Sequence, residues 1–164
     1  MIIIRKATMQ DLDTITSIYN DAIINTTATF DTELKTIEQQ TAWFGNHDEK
    51  FKILVAEVDN SVIGWASLSR WSDRCAYSDT AECSLYIEKG QRNRGTGRKL
   101  MEELLTEAKK SGFHTLIARI AGGNEVSIHI CESLSFRHVG TMKEVGRKFG
   151  RLLDVHLMQI ILGE

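Results

Sequence analysis

A basic turn that contains two glycines and leads directly into a helix pattern is the feature that most constrains this chain. Residues 91–110 read QRNRGTGRKLMEELLTEAKK, and the alternating run TAECSLYIEKG comes just before them. The first amides of a helix have no partner within the helix, and its N-terminus carries a partial positive charge. Glycine lets a bound group approach the backbone closely, because it has no Cβ. The sequence therefore predicts a strand–loop–helix unit that binds phosphate.

The spacing of the glycines narrows the choice of ligand. A dinucleotide-binding loop would need a third glycine at position 100, where this chain has Leu100. A nucleotide-hydrolase loop ends in Gly-Lys and then Ser or Thr, whereas here Gly97 is followed by Arg98 and Lys99. The pattern favours a pyrophosphate other than that of NAD or ATP. The alternative is a surface turn with solvated arginines, since short glycine motifs also arise by chance.

Composition sets broad limits on the function. The chain has 164 residues and a formal net charge of −2, which fits one domain and gives no global reason to expect nucleic acid as a partner. No apolar run is long enough for a membrane span, and the initial MIII run is too short for a signal peptide. We expect no metal, because no ligand motif is present. Three cysteines without CxxC spacing indicate free thiols in the cytoplasm.

Hydrophobic periodicity predicts the element order β-α-α-β-β-β-α-β-α-β-β over residues 1–164, as a single α+β domain with a mixed sheet. The helix after the glycine turn should run from Gly97 to Lys110, with Leu100, Leu104, Leu105 and Ala108 on its buried face. KILVAEV and SVIGWASLSRW, separated by Asp59 and Asn60, should form a hairpin.

The glycine turn, read as Arg92-x-x-Gly95-x-Gly97, resembles the acetyl-CoA pyrophosphate motif of the GNAT superfamily of N-acetyltransferases. The segments YNDAIINTTATF, AECSLYIEKGQRNRGTGRKL, GFHTLIARIAGGNEVSIHICESLSF and VGTMKEVGRKFGRLLDVHLMQ resemble its phosphinothricin acetyltransferase branch almost end to end. The resemblance implies a mostly antiparallel sheet with splayed central strands and helices on both faces. It also implies acetyl-CoA as co-substrate, a small-molecule amine as acceptor, and a homodimer. That branch acetylates the α-amino group of phosphinothricin, methionine sulfoximine and methionine sulfone.

Glu82 is the candidate catalytic base. An α-amino group has a pKa of about 8 and is mostly protonated at neutral pH, so a carboxylate must take a proton before the nitrogen can attack. The resemblance aligns Glu82 with the likely catalytic glutamate of the family. The alternative is a strand glutamate paired with a neighbouring Arg or Lys.

The resemblance also assigns residues to the acetyl-CoA site. The strand that carries Glu82 should bind the pantetheine arm through its backbone, as an added strand would. Asn124 matches a family asparagine that contacts the cofactor, although it could equally be an ordinary helix N-cap. The implied set is Leu85, Tyr86, Ile87, Asn93, Arg94, Gly95, Thr96, Gly97, Arg98 and Asn124.

Cys131 stands where the superfamily often places a Tyr, and this branch a His, as proton donor to the leaving thiolate. A cysteine there could act as a weak acid or could simply pack as a small buried hydrophobe, and we favour packing. His129 should face elsewhere on the helix and is a poor substitute. A good leaving group gains little from an acid, so the cost of this departure should be modest.

The acceptor pocket is predicted from the same resemblance. Arginine is the best bidentate partner for an amino acid carboxylate, and Arg74 aligns with a pocket arginine, although it could instead be a solvated loop residue. The implied pocket set is Phe30, Arg74, Tyr77, Glu82, Ser84, Tyr86, Arg119 and Val155. The family usually has a small residue at position 119. Facing inward, Arg119 would narrow the pocket or add a carboxylate contact; facing outward, it would not affect the substrate.

Three functions are compatible with these residues. The first is acetylation of a small amino acid by direct attack in a ternary complex, without acylation of Cys131. The second keeps the enzyme but changes the acceptor to a peptide N-terminus, a polyamine or an aminoglycoside. The third is a non-catalytic acyl-CoA sensor, which the departure at Cys131 suggests and the presence of Glu82 opposes.

Overall fold

A computed structural model describes residues 1–163 and contains every helix and strand in the predicted order. The strands are β1 (Ile3–Lys6), β2 (Ile53–Val58), β3 (Ser61–Arg70), β4 (Thr80–Ile87), β5 (Thr115–Ala121), β6 (Arg137–Lys148) and β7 (Arg151–Ile161). The helices are α1 (Leu12–Asn25), α2 (Ile37–Gly45), α3 (Thr96–Lys110) and α4 (Glu125–Ser133). Short 3₁₀ turns cover Met9–Asp11, Cys75–Tyr77 and Lys89–Gln91. The predicted α+β class is confirmed.

The strands form one seven-stranded sheet in the order β1-β2-β3-β4-β5-β7-β6. Within residues 1–163 the β4–β5 pair is parallel and every other neighbouring pair is antiparallel. The connection from β4 to β5 passes through α3, as a parallel connection requires a crossover. The sheet is therefore mixed and mostly antiparallel, as expected.

The turn between β2 and β3 shows why the sequence predicts a hairpin there. Asp59 and Asn60 have φ values of 49° and 63°. Positive φ at both central residues is the requirement of a type I′ turn, whose twist matches that of paired strands, and Asp and Asn tolerate it better than most residues.

One face of the sheet is covered by α3 and α4. The buried residues of α3 are Thr96, Gly97, Leu100, Met101, Leu104 and Ala108, and they pack in a core that includes Leu116, Phe136 and Met158. Leu105, predicted for the buried face, is only partly buried, and Met101 takes the central position instead. The 3.6-residue period of the helix puts position 101 on the face that packs against the sheet, together with positions 104 and 108.

The other face carries α1 and α2. Ile15 and Ile18 of α1 pack on Val55 and Trp65 of the sheet, and Trp43 of α2 lies with its ring centroid 5.3 Å from that of Trp65. Helices thus lie on both faces, as the resemblance implied. Among residues 1–163, no helix is both long and apolar enough to cross a bilayer.

Candidate active site

The site is a cleft that opens where β4 and β5 separate. These strands pair only at Thr80–Thr115, Ala81–Leu116 and Glu82–Ile117, although β4 continues to Ile87 and β5 to Ala121. Beyond Glu82 the two strands diverge around a cavity of about 610 Å³. The edge of β4 that faces β5 therefore leaves backbone N–H and C=O groups without strand partners from Cys83 onward. This is the splay that the resemblance implied.

The structure brings nine of the predicted site residues to this cavity. Its lining includes Phe30, Glu82, Ser84, Leu85, Tyr86, Arg119, Asn124, Cys131 and Val155. They come from a loop, two strands on either side of the cleft, the start and middle of α4, and β7. No single local segment contains more than a few of them, so only the folded chain assembles the set.

The glycine turn lies at the end of the same cleft. Asn93 and Gly95 have φ values of 62° and 78°, and α3 begins at Thr96. A Cβ on Gly97 would stand 3.1 Å from Ile130 Cδ1 and 3.2 Å from Leu85 Cδ2. The absence of a side chain therefore lets the first turn of α3 approach both β4 and α4, and it keeps the unpaired amides of the helix beside the cleft.

The charges around the turn are mostly turned to solvent. Asn93, Arg94 and Gly95 are exposed, and Arg98 Nε donates to Glu102 Oε1 at 2.8 Å along the helix. Arg92 Nε donates to the Ile87 carbonyl at 3.2 Å and so fastens the turn to the end of β4. Thr96 is 2% exposed, and its hydroxyl has no hydrogen-bond partner among residues 1–163. The backbone of the turn, rather than its side chains, is thus arranged to bind an anion. Arg94 is the cation nearest to that backbone in sequence, and it forms no ion pair within residues 1–163.

Glu82 and Arg119 form an ion pair across the apex of the cleft, where β4 and β5 begin to separate. Arg119 donates from Nε to Oε2 of Glu82 and from Nη2 to Oε1, the second bond at 3.0 Å. The Glu82 side chain is 18% exposed, and the Arg119 side chain is 55% exposed. The hydrogen bonds to Glu82 raise the pKa of Arg119 above its ordinary value. Arg119 therefore faces into the cavity. Glu82 both pairs with an arginine and lines the cavity, so the two alternatives weighed for it occur together.

Two tyrosines form one wall beside Glu82. Tyr86 stacks against Trp65 with ring centroids 4.9 Å apart, and Tyr19 contacts the Tyr86 ring edge-on at 5.1 Å. Burial raises the pKa of Tyr86 to about 12, so its phenol is neutral at physiological pH. The wall is therefore uncharged.

A polar network behind this wall holds the loop that carries Phe30. Tyr19 Oη lies 3.0 Å from Thr29 Oγ1 and donates to Asp31, and buried Lys148 donates from Nζ to the Thr29 carbonyl at 2.8 Å. Burial lowers the pKa of Lys148. The Phe30 ring lies directly over Gly146, where a Cβ would be 2.2 Å from its Cε2.

Sequence reasoning missed Tyr19, Asp31 and Lys148 in this network. Tyr19 has the helical spacing of any core residue, and Asp31 and Lys148 look like surface charges. The one usable signal in the sequence was Gly146, because the Phe30 ring leaves no room for a side chain there.

Cys131 is buried on α4, with 4% of its surface exposed, and lines the cavity. Burial, with a smaller contribution from Glu132, raises the pKa of its thiol to about 11. An unperturbed thiol has a pKa of about 8.5, so proton transfer from Cys131 to a leaving thiolate would run uphill by two to three pKa units. His129 is exposed and is not among the lining residues.

Asn124 caps α4, because its side-chain oxygen accepts a hydrogen bond from Ser127 N at 3.3 Å. The capping role weighed for it is therefore present, and the residue also lines the cavity. Its contact with a cofactor stays a prediction.

Arg74 and Tyr77 are not brought to the cavity of a single chain, contrary to expectation. Arg74 precedes the 3₁₀ turn Cys75–Tyr77 and Tyr77 ends it; residues 73–79 of the β3–β4 connection are exposed, and Tyr77 is 44% exposed. The turn lies beyond the paired ends of β3 and β4, whereas the cavity begins at Glu82, further along β4. Arg119 is the one basic side chain that lines the cavity in the described part of the chain.

Comparison with known proteins agrees with this geometry. The family model described as "Acetyltransferase (GNAT) domain" matches residues 4–157. A methionine sulfoximine/methionine sulfone acetyltransferase of Pseudomonas aeruginosa is 38% identical over 161 residues, which cover 97% of this chain and 94% of the relative. A phosphinothricin N-acetyltransferase of Streptomyces coelicolor is 34% identical over 156 residues, which cover 93% of this chain and 91% of the relative.

A solved structure shares the fold. The phosphinothricin acetyltransferase of Sinorhizobium meliloti, solved in complex with acetyl-CoA, superimposes with a TM-score of 0.95 at 32% identity, covering 98% of this chain and 88% of that one. The splayed strands, the glycine turn before α3 and these matches lead to one conclusion: the chain belongs to the GNAT family and is an acetyltransferase, an enzyme class whose acyl donor is acetyl-CoA.

Proposed function

We propose that this enzyme transfers acetyl from acetyl-CoA to the α-amino group of a small amino acid of the methionine sulfone, methionine sulfoximine or phosphinothricin type. The observation that carries the proposal is the pairing of Glu82 and Arg119 at the point where β4 and β5 separate. A carboxylate suits an ammonium, and a guanidinium suits a carboxylate. The activities named for the two relatives from Pseudomonas aeruginosa and Streptomyces coelicolor support the same acceptor class.

The cleft offers a place for each part of acetyl-CoA. The amides of Gly95, Thr96, Gly97 and Arg98 would hold the pyrophosphate, with Asn93 and Arg94 at the rim. The free edge of β4 at Leu85, Tyr86 and Ile87 would bind the pantetheine amides, and Asn124 would close the opposite wall. When bound, the thioester supplies an acetyl group on a good leaving thiol. The tight approach of Gly97 to Leu85 supports this placement, because a side chain there would push α3 away from β4.

Glu82 has the position of a general base. It is the last residue of β4 that pairs with β5, so its side chain stands at the apex of the cleft. It would take a proton from the acceptor's ammonium, directly or through water, and leave a neutral nitrogen that attacks within the ternary complex. Phe30, Ser84, Tyr86 and Val155 would surround the acceptor side chain.

The acceptor class can be tested by release of free thiol from acetyl-CoA. We expect turnover with methionine sulfone, methionine sulfoximine or phosphinothricin, and little with polyamines, aminoglycosides or a peptide N-terminus. The panel should include all common amino acids at one concentration. A preference for a polyamine would contradict the proposed acceptor, and binding of acetyl-CoA without thiol release for any amine would identify a sensor.

Replacement of the base gives a second prediction. Glu82→Gln should lower kcat by about 10²- to 10⁴-fold, the usual contribution of a general base, with acetyl-CoA affinity nearly unchanged. The residual rate should rise with pH until the pH passes the pKa of the acceptor's amino group, about 8 or somewhat higher, because the variant depends on amine deprotonated in solution. Steady-state kinetics between pH 6 and 9.5 and calorimetric titration of acetyl-CoA measure these effects. Unaltered turnover at neutral pH would remove Glu82 from the mechanism.

Cys131 gives a third prediction. Because its pKa is raised to about 11, we propose that it packs rather than acts as an acid. Cys131→Ser should keep kcat within about threefold of the unmodified enzyme, because a side chain that only packs takes no part in proton transfer. The exposed Cys75 provides the control variant Cys75→Ser. A 10²-fold fall in kcat for Cys131→Ser, with the melting temperature preserved, would assign the acid role to the thiol.

We also propose a cytoplasmic location, which the free thiols of Cys75, Cys83 and Cys131 support. Disulfides are rare in reducing compartments, where such thiols persist. Recovery of the native protein in a secreted fraction, rather than with cytoplasmic markers, would count against it.

A homodimer is the assembly that we propose. The last hairpin lies at the sheet edge and exposes Val139, Met142, Val145, Phe149 and Leu152. Several large exposed apolar side chains on one edge hairpin support an interface there. Sedimentation should give twice the 18.5 kDa of one chain. Phe149→Asp should shift the mass toward the monomer, whereas Ile3→Asp, on the opposite edge strand, should not; a monomeric unmodified protein would refute the proposal.

A further inference from the structure

Both oxygens of Glu82 are engaged by the guanidinium of Arg119 in the cavity, so the proposed base is already paired. Arg119 is also positioned by Trp71, whose ring centroid lies 5.6 Å from the guanidinium carbon. An incoming ammonium must therefore compete with a cation that is held in place for the same carboxylate.

The register of the strands explains why these two side chains meet. Glu82 pairs with Ile117, and Arg119 lies two residues further along β5, on the same face as Ile117. The guanidinium reaches back across the gap from the wall opposite Glu82. The ion pair thus bridges the two walls at the start of the splay, where acetyl transfer is proposed to occur.

Charge balance determines which acceptors can enter. A simple amine would bring a second positive charge beside Glu82 and would leave Arg119 without a counter-ion as it displaced the guanidinium. An α-amino acid brings both charges, on two groups that are attached to the same carbon. Its ammonium can bind Glu82 while its carboxylate binds Arg119, so every charge keeps a partner.

We infer that the Arg119–Glu82 pair is a filter for zwitterions: it opens for acceptors that carry an α-carboxylate and resists those that do not. The inference rests on the proposed amino acid acetylation and identifies Arg119 as its specificity-determining residue. Arg119 holds the carboxylate of the acceptor, and this exchange frees Glu82 for the ammonium.

Acetyl transfer from this arrangement conserves atoms and charge. The ammonium gives one proton to Glu82, and its nitrogen forms a bond with the acetyl carbon. The carbon–sulfur bond breaks with its electron pair on sulfur, and the nitrogen loses a second proton. The thiolate takes up one of the two protons and the other passes to solvent, so the products are the amide, the free thiol and one proton.

The test compares one acceptor with and without its carboxylate. Methionine sulfone and its decarboxylated counterpart, 3-(methylsulfonyl)propylamine, differ only in that group; if another amino acid is the best acceptor, its own decarboxylated amine is used. We expect the unmodified enzyme to prefer the amino acid in kcat/KM by roughly 10- to 100-fold. This is less than the discrimination of fully buried polar sites, because Arg119 is half exposed to water.

Arg119→Gln should abolish most of this preference, and in a particular way. The KM for the amino acid should rise, while kcat/KM for the amine should also rise, because Glu82 is released from its partner. A structural defect would lower kcat/KM for both acceptors, so the gain in kcat/KM with the amine is the diagnostic result. Arg119→Lys keeps the charge without the planar fork and should give an intermediate ratio. Arg137→Gln, an exposed arginine on the same sheet, is the matched control.

The outcomes separate the filter from the proposed function. If the unmodified enzyme acetylates amino acids and Arg119→Gln changes both acceptors equally, the filter is refuted and the proposed function stands. If the unmodified enzyme acetylates no amino acid, the proposed function fails and the filter fails with it. A ratio that collapses in Arg119→Gln and stays unchanged in Arg137→Gln supports both.

Discussion

The early end of the β4–β5 pairing is the constraint on which the rest of the site depends. After Glu82 and Ile117 the two strands no longer exchange hydrogen bonds, and backbone groups that a sheet would normally pair are turned toward a cavity. Buried polar backbone groups need partners, so an arrangement of this kind is favourable only where a ligand or water supplies them. The same divergence separates Glu82 from the glycine turn by the length of a strand, which suits an elongated donor.

The Glu82–Arg119 pair has to be weak enough to open. Partly exposed ion pairs contribute on the order of 1 kcal/mol or less, because water competes for both groups. Arg119 is more than half exposed, so an acceptor that supplies replacement charges can separate the pair at little cost. The wall that Tyr19 and Tyr86 form carries no charge and does not compete. Selectivity therefore comes from charge complementarity at a single point of the cavity.

Predictions from sequence succeeded where a residue's role follows from local pattern. Asp59 and Asn60 predict a tight turn, and Gly95 and Gly97 predict a close approach of the backbone to its neighbours at the start of α3. The resemblance placed Arg74 and Tyr77 in the pocket, but neither lines the cavity of the single chain. The burial of Lys148 against the Thr29 carbonyl was not foreseen from the sequence. Loop direction and long-range burial have no local signature.

The sequence by itself determined the order of the elements, the α+β class and the glycine turn before α3, because each depends on periodicity and backbone preference within a few residues. Only the tertiary structure decided that Arg119 faces Glu82 and that Arg119, and not Arg74, lines the cavity of the single chain. Those facts depend on which strands are neighbours and where their pairing ends. Strand register is set by contacts between segments more than thirty residues apart, such as Glu82 with Ile117, and no window of sequence contains both.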